Sequence, residues 1–324
     1  MAGTLKKILD LVFLLRLPLL APVWTILILG WIAGNAQATP GFSFVHSTCS
    51  SPLWFALIGF SLLVASIYVV NQITDIESDR INNKLFLLPD GFISVKTAWV
   101  VALFCIFSGL MVGFFLGNAI FMLFIIALIL GFLYNLPPVS LKNRAIGGVL
   151  ANALGHGIIT FLVGWFITKS DAVFSTDLLY TGLISSLAPG FANGAVFLAT
   201  TIPDAPGDLK TGKKTFCVSY GEKKTALAAT MMCTLALIFS FSMEYNSWVM
   251  AIPSAISLFF FIRFFIFTDS VSAFNSFKWP VFLLSACVTI FVPFYGILIA
   301  FTFLLSRFYY KWRFGIEYPT FKAK

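Results

Sequence analysis

Long apolar runs, each close to the length of a bilayer crossing, alternate with short polar segments along the whole chain. A hydrocarbon core of ~30 Å needs about 20 apolar residues in a helix. Runs of that size fall at residues 12–34, 52–74, 97–116, 119–136, 146–168, 178–202, 225–243, 247–268 and 279–306. The pattern predicts an all-α, polytopic membrane protein, with about nine transmembrane helices in one bundle around a central cavity. No polar linker or low-complexity stretch divides the chain, so residues 1–324 read as a single transmembrane domain. Lys6 and Lys7 precede the first run as they would in a signal peptide. The run continues to Gly34 without a small-residue cleavage site, so it reads as the first membrane helix.

The polar connections differ in character. Those after the even-numbered runs hold most of the charge: Arg80, Lys84, Lys96, Lys142, Arg144, Lys210, Lys213, Lys214, Lys223, Lys224 and Lys278. With Lys6, Lys7 and Arg16 at the start, the positive-inside tendency makes that face cytoplasmic. One segment disagrees. Nine spans put the tail outside, yet it carries Arg307, Lys311, Arg313, Lys322 and Lys324. Composition supports the membrane reading: 59% of residues are hydrophobic, 38 are Phe, and 10% are charged, against roughly 25% charged in soluble domains. The five cysteines, Cys49, Cys105, Cys217, Cys233 and Cys287, have no CxxC spacing and read as packing residues. His46 is given no role, and no nucleic-acid partner is expected.

Two acidic clusters stand out. The second run ends in Asn71-Gln-Ile-Thr-Asp75-Ile-Glu-Ser-Asp79-Arg80, where a spacing of four lines Asn71, Asp75 and Asp79 along one helix face. The sixth run is followed by Pro203-Asp204-Ala-Pro206-Gly207-Asp208-Leu-Lys210-Thr-Gly212-Lys213-Lys214-Thr215, where Asp204 and Asp208 repeat that spacing. The prolines and Gly207 predict an irregular backbone there. Either cluster alone could be a solvated cap on a membrane helix. Two of them on one face, each followed by basic residues, would repel without cations. Mg2+ prefers oxygen ligands and is commonly shared between carboxylates and substrate phosphates, so the pair suggests a diphosphate held by metal, with Lys142, Arg144, Lys210, Lys213 and Lys214 balancing the remaining charge.

With those residues in view, the chain resembles the UbiA superfamily of intramembrane prenyltransferases. The family's NxxxDxxxD is matched by Asn71, Asp75 and Asp79. Its second DxxxD with a following Gly-Lys-x-Thr is matched by Asp204, Asp208, Gly212, Lys213 and Thr215. Between them, Tyr134-Asn-Leu-Pro137-Pro138-Val-Ser-Leu-Lys142 is similar to the family's Tyr-x-x-Pro-Pro-x-x-x-Lys. The sequence departs after Asp79: the family's loop arginine is Phe86 here, and its lysine is Asn83 with Lys84 adjacent.

The resemblance implies Mg2+ held by Asn71, Asp75, Asp79, Asp204 and Asp208, and a prenyl diphosphate donor contacted by Arg80, Lys84, Lys142, Arg144, Lys210, Lys213 and Lys214. It also implies a lipophilic acceptor, on family frequency an aromatic quinone precursor. Tyr134 is either a ring that stabilises an allylic cation or an interfacial anchor. Asn152 and His156 lie four apart on one face, and His156 is either a polar contact to the acceptor, a proton acceptor, or a partner in a helix-to-helix hydrogen bond. A terpene cyclase on the same fold and a membrane transporter are the alternative classes. Transporters gather their polar residues near the bilayer midplane, whereas these acids sit at one face.

Overall fold

A computed structural model describes residues 2–40, 51–81, 86–169 and 175–319. Lys84, His46, Cys49 and the last tail lysines lie outside the described residues. Within them the chain is helical throughout: α1 (Ala2–Leu14), α2 (Leu17–Gly34), α3 (Ser51–Thr74), α4 (Ile76–Ile81), α5 (Val95–Phe115), α6 (Asn118–Asn135), α7 (Ala145–Asn152), α8 (Thr160–Ile167), α9 (Thr176–Lys210), α10 (Phe216–Tyr220), α11 (Glu222–Ser240), α12 (Trp248–Phe267), α13 (Ser270–Phe291) and α14 (Pro293–Phe314). A π-helical turn over Ala153–Ile159 joins α7 to α8. Eight helices are long and apolar enough to cross a membrane, counting Ala145–Ile167 as one. The helices α11 and α14 have spanning length too, but α11 opens with Glu222, Lys223 and Lys224, and α14 carries Lys311 and Arg313 in its last turn.

Burial is arranged for lipid rather than water. Phe107 is 68% exposed and Phe115 is 77% exposed on the outside of the bundle, surface that only an apolar solvent accommodates. Inside, α2 crosses α8 at backbone contact: a Cβ on Gly30 would sit on the carbonyl of Phe161, and one on Gly164 on the carbonyl of Leu27. Such close approach gives helices in lipid the dispersion contacts that hold them together, since hydrocarbon offers no hydrophobic drive between them.

Three features differ from the apolar pattern. The first run is broken at Arg16, which takes a left-handed conformation (φ 56°) and separates α1 from α2. Next, α9 runs on as a helix through Pro203 and Pro206 to Lys210. Its 35 residues extend about 50 Å, well beyond the hydrocarbon core, so its last turns project past the membrane. Asp204 and Asp208 therefore share a helix face after all. Third, residues 279–306 are two helices: Val292 leaves the helical region (φ −129°) and Pro293 starts α14, a position that suits its missing N–H.

That last break reverses the chain. Tyr309 of α14 stacks on Phe13 of α1 at 3.8 Å between centroids, and Phe314 packs against Phe86 and Phe92. Phe13, Tyr309 and Phe314 share one apolar cluster with Val69 and Val70 of α3 and Ala98 of α5. The basic end of α14 thus lies at the same end of the bundle as the acidic motif of α3, which removes the conflict between the tail's charge and the charge of the loops.

Candidate active site

The backbone continues from α3 into α4 with Asp75 N–H donating to Asn71 O (3.0 Å) and Asp79 N–H to Asp75 O (2.8 Å), so residues 71, 75 and 79 do stack along one face. Asn71 is held from two sides. Its Nδ2 donates to Asp75 Oδ2 (3.1 Å) and to Asn135 Oδ1 of α6 (2.8 Å), while Asn135 donates back to Gly131 O (3.0 Å).

Two lysines from distant segments meet on the same carboxylate. Lys142 follows the Pro137–Pro138 turn in a short 3-10 helix entered through Ser140, whose φ is 39°. Its Nζ lies 2.9 Å from Asp75 Oδ1 and donates to Thr74 Oγ1 at 2.6 Å. Lys213 follows the end of α9: Gly212 turns the chain at φ 73°, the Lys213 N–H returns to Asp208 O (2.9 Å), and Nζ reaches Asp75 Oδ1 (3.0 Å) and Ser78 Oγ (3.1 Å). A backbone bridge between Arg144 and Lys214 fastens the two lysine-bearing segments together. Asp75 and Lys142 are 13% and 8% exposed. Burial pushes the Lys142 ammonium below its ordinary value, and the Asp75 charge opposes that shift.

Around this core, Asp79 acts electrostatically on Lys142, and Asp75 and Asp208 both act on Tyr134, which lies near Asn152. Asp204 stands one turn before Asp208 on α9, exposed, as are Lys210 and Lys214. Arg80 is occupied locally: Nη1 donates to Glu77 Oε2 and Nη2 to Pro89 O, both at 3.0 Å. Arg144 Nη2 donates to Pro138 O at 3.4 Å. Phe86, standing where the family pattern has an arginine, packs its ring on Phe314 instead of entering the cluster.

A cavity of about 200 Å³ runs from Asn71 and Asn135 into the bundle between α3, α6 and α7. Arg16 lines it, with its guanidinium over the Tyr68 ring. Neither residue was singled out as chemistry by the motifs, although a lone arginine inside an apolar run is itself a signal. A second cavity of about 330 Å³ lies between α2, α9 and α13.

Among the described residues, no three His, Cys, Asp or Glu side chains form a group able to enclose a metal ion. The donor set is carboxylate oxygen beside ammonium, which suits Mg2+ shared with phosphate oxygens rather than a protein-only cage.

Fold and site together define a helical membrane protein whose distant acidic and basic segments meet at one end of the bundle, near a cavity with both polar and apolar walls. The chain belongs to the UbiA prenyltransferase family, whose model matches residues 22–286. It is 28% identical over 268 residues to 2-acylphloroglucinol 4-prenyltransferase of Humulus lupulus, covering 75% of this chain and 63% of that protein. It is 29% identical over 216 residues to digeranylgeranylglyceryl phosphate synthase of Sulfolobus acidocaldarius, covering 66% of this chain and 74% of that protein. The chain spans between about half and two thirds of the length of the first plant relatives it matches. In fold it is similar to a UbiA homolog from Archaeoglobus fulgidus bound to DMAPP and Mg2+, with a TM-score of 0.66 at 18% identity, covering 91% of this chain and 98% of that one.

Proposed function

We propose that the protein is a Mg2+-dependent prenyltransferase that moves an isoprenoid group from a prenyl diphosphate to a lipophilic, aromatic acceptor. The observation that carries this reading is the meeting of Asp75 with Lys142 and Lys213, two lysines that follow different helices and share one carboxylate oxygen. Each ammonium has three N–H donors and gives one to Asp75 and one to a hydroxyl, Thr74 or Ser78, so each keeps one that a diphosphate would use. The relatives' names support the reaction class, and those naming acylphloroglucinols and homogentisate support an aromatic acceptor.

Asp75, Asp79, Asp204 and Asp208, with Asn71, would hold Mg2+, which when bound neutralises phosphate charge and stabilises the leaving diphosphate. Lys142 and Lys213 orient the diphosphate and take up the charge that develops as the carbon–oxygen bond breaks and its electron pair leaves with the phosphate. Arg80, Lys84, Arg144, Lys210 and Lys214 provide the surrounding positive field that draws the donor in. Tyr134, in the wall of the first cavity, presents its ring to the allylic carbon, and the apolar part of that cavity, along Phe60, Val64, Ala127 and Leu130, receives the chain. The acceptor carbon forms the new bond and loses a proton. The basic segments, including the end of α14, face the cytoplasm by the positive-inside tendency.

The test is a product screen. Purified protein with Mg2+, prenyl diphosphates of several lengths, and aromatic and glycerol-phosphate acceptors is read by mass spectrometry. Prenylated aromatic product is expected; transfer to no acceptor, or hydrocarbon formed from donor alone, would overturn the reading.

A further inference from the structure

The two cavities share three wall residues, Tyr68, Asn152 and His156. The first cavity reaches Asn71 and so opens to the diphosphate end. The second is lined by none of the acidic or lysine residues of the cluster. If one cavity takes the chain of the donor, the other is the remaining space beside the reacting carbon.

The polar groups of the shared wall are not equal. The Tyr68 hydroxyl donates to Leu19 O at 3.2 Å. Asn152 donates to Gly148 O at 2.9 Å. The His156 ring stacks on Tyr68 at 5.8 Å between centroids, and no hydrogen bond joins its nitrogens to another of the described residues. An imidazole in the interior of a membrane bundle is costly to leave unsatisfied, so the wall has one polar group free for a ligand. Its backbone is unusual too. His156 sits in the π-helical turn, a feature frequent at functional sites, and that turn is pressed against α9 at Gly157, where a Cβ would lie 2.5 Å from Gly190 Cα.

We propose that His156 is the acceptor-positioning residue: its imidazole accepts a hydrogen bond from a hydroxyl of an aromatic acceptor bound in the second cavity, and so turns the ring toward the donor chain in the first. This rests on the prenyl-transfer reading and extends it to a substrate class, a hydroxylated ring with an apolar body. The second cavity suits such a ligand. Its walls are mainly apolar, from Pro22, Val196, Phe197 and Leu284, with Asn193 and Thr200 as further polar points.

The test compares a phenolic acceptor with its O-methyl ether on the full-length protein, using DMAPP as donor. His156→Phe is expected to raise the phenol's KM about tenfold, the value of one hydrogen bond, to leave the donor's KM within about twofold, and to abolish discrimination between phenol and ether; His156→Asn is expected to restore part of that discrimination. Two cavity-filling variants serve should His156→Phe not fold. Ala192→Leu, in the second cavity, is expected to raise the acceptor's KM alone, and Ala127→Leu, in the first, to disfavour longer donors alone. Undiminished discrimination in folded His156→Phe, or the reverse pattern in the two alanine variants, would overturn the assignment while leaving prenyl transfer standing. Failure of the unsubstituted protein to prenylate any acceptor would overturn the functional reading and this one with it.

Discussion

Two largely buried aspartates sit near the same end of the bundle and are satisfied in different ways. Asp10 of α1 is closed. The Arg313 guanidinium grips both its oxygens, Nε to Oδ1 at 3.0 Å and Nη2 to Oδ2 at 3.2 Å, and the Tyr309 hydroxyl donates to Oδ1 at 2.6 Å. One charge meets one charge in a planar fork. Asp75 instead holds two ammonium groups on a single oxygen and an amide on the other, one helical turn from Asn71, which lines a cavity. Lysine is a point charge on a flexible stem, whereas the arginine fork is fixed. The first arrangement ties α1 to α14 and has no capacity left; the second can release either lysine to an incoming phosphate without leaving the carboxylate bare.

The comparison is broken most directly at Asp75. Asp75→Ala is expected to lower kcat/KM by about a thousandfold or more, the scale of losing a group aimed at developing charge, with the protein still folded in detergent. A variant that kept turnover at saturating donor and ordinary Mg2+ would show that the two aspartates are alike.

Arg313→Ala should have the opposite signature. It leaves Asp10 buried without its partner, a loss of about 3–5 kcal/mol for ion pairs of this kind, read as a lower Tm, with kcat per folded molecule preserved. An unchanged Tm would remove the structural role given to that pair.

Lys213→Ala sharpens the distinction. Asp75 keeps Lys142, so stability is expected to hold, while kcat/KM for the donor falls about a hundredfold. Loss of folding in place of activity would make Lys213 a tether like Arg313.

What the chain revealed in advance follows the same division between local and distant. The stacking of Asn71, Asp75 and Asp79 was legible because a spacing of four is a property of one helix, and the helix continues across the junction of α3 with α4. That Asp75 draws a lysine from beyond α6 and another from beyond α9 was not, since nothing in a one-dimensional pattern says which side chains meet. Pro203 and Pro206 suggested a break because proline is costly inside a helix; a proline can also be accommodated as a kink without ending the helix, and α9 continues. The reversal at Val292 and Pro293 was hidden for another reason. It lies within an unbroken apolar stretch, and hydropathy registers length but not direction, so only the misplaced positive charge of the tail hinted at it. The face shared by Asn152 and His156 could be read from spacing, but the π-helical turn that presents His156 could not.

A third aspartate supplies the exposed control. Asp269 caps the start of α13, accepting from the Ser272 N–H and from Ser272 Oγ, both at 2.8 Å. The backbone hydrogen bond from Ser272, then its hydroxyl, hold the carboxyl below its ordinary value of 3.8. A carboxyl whose folded value is depressed stabilises above its ordinary value and loses that contribution as the pH falls through the depressed one. Asp269→Ala should therefore cost about 1 kcal/mol near neutral pH, the usual worth of an N-cap, and the gap in thermal stability from the unsubstituted protein should narrow as the solution is acidified below 3.8. Asp269→Asn should stay near the unsubstituted protein at neutral pH, because an amide oxygen still accepts from the backbone. A gap as wide in acid as at neutrality, or an asparagine as damaging as alanine, would mean that α13 starts where it does through packing alone, and that this carboxylate does no more than face solvent.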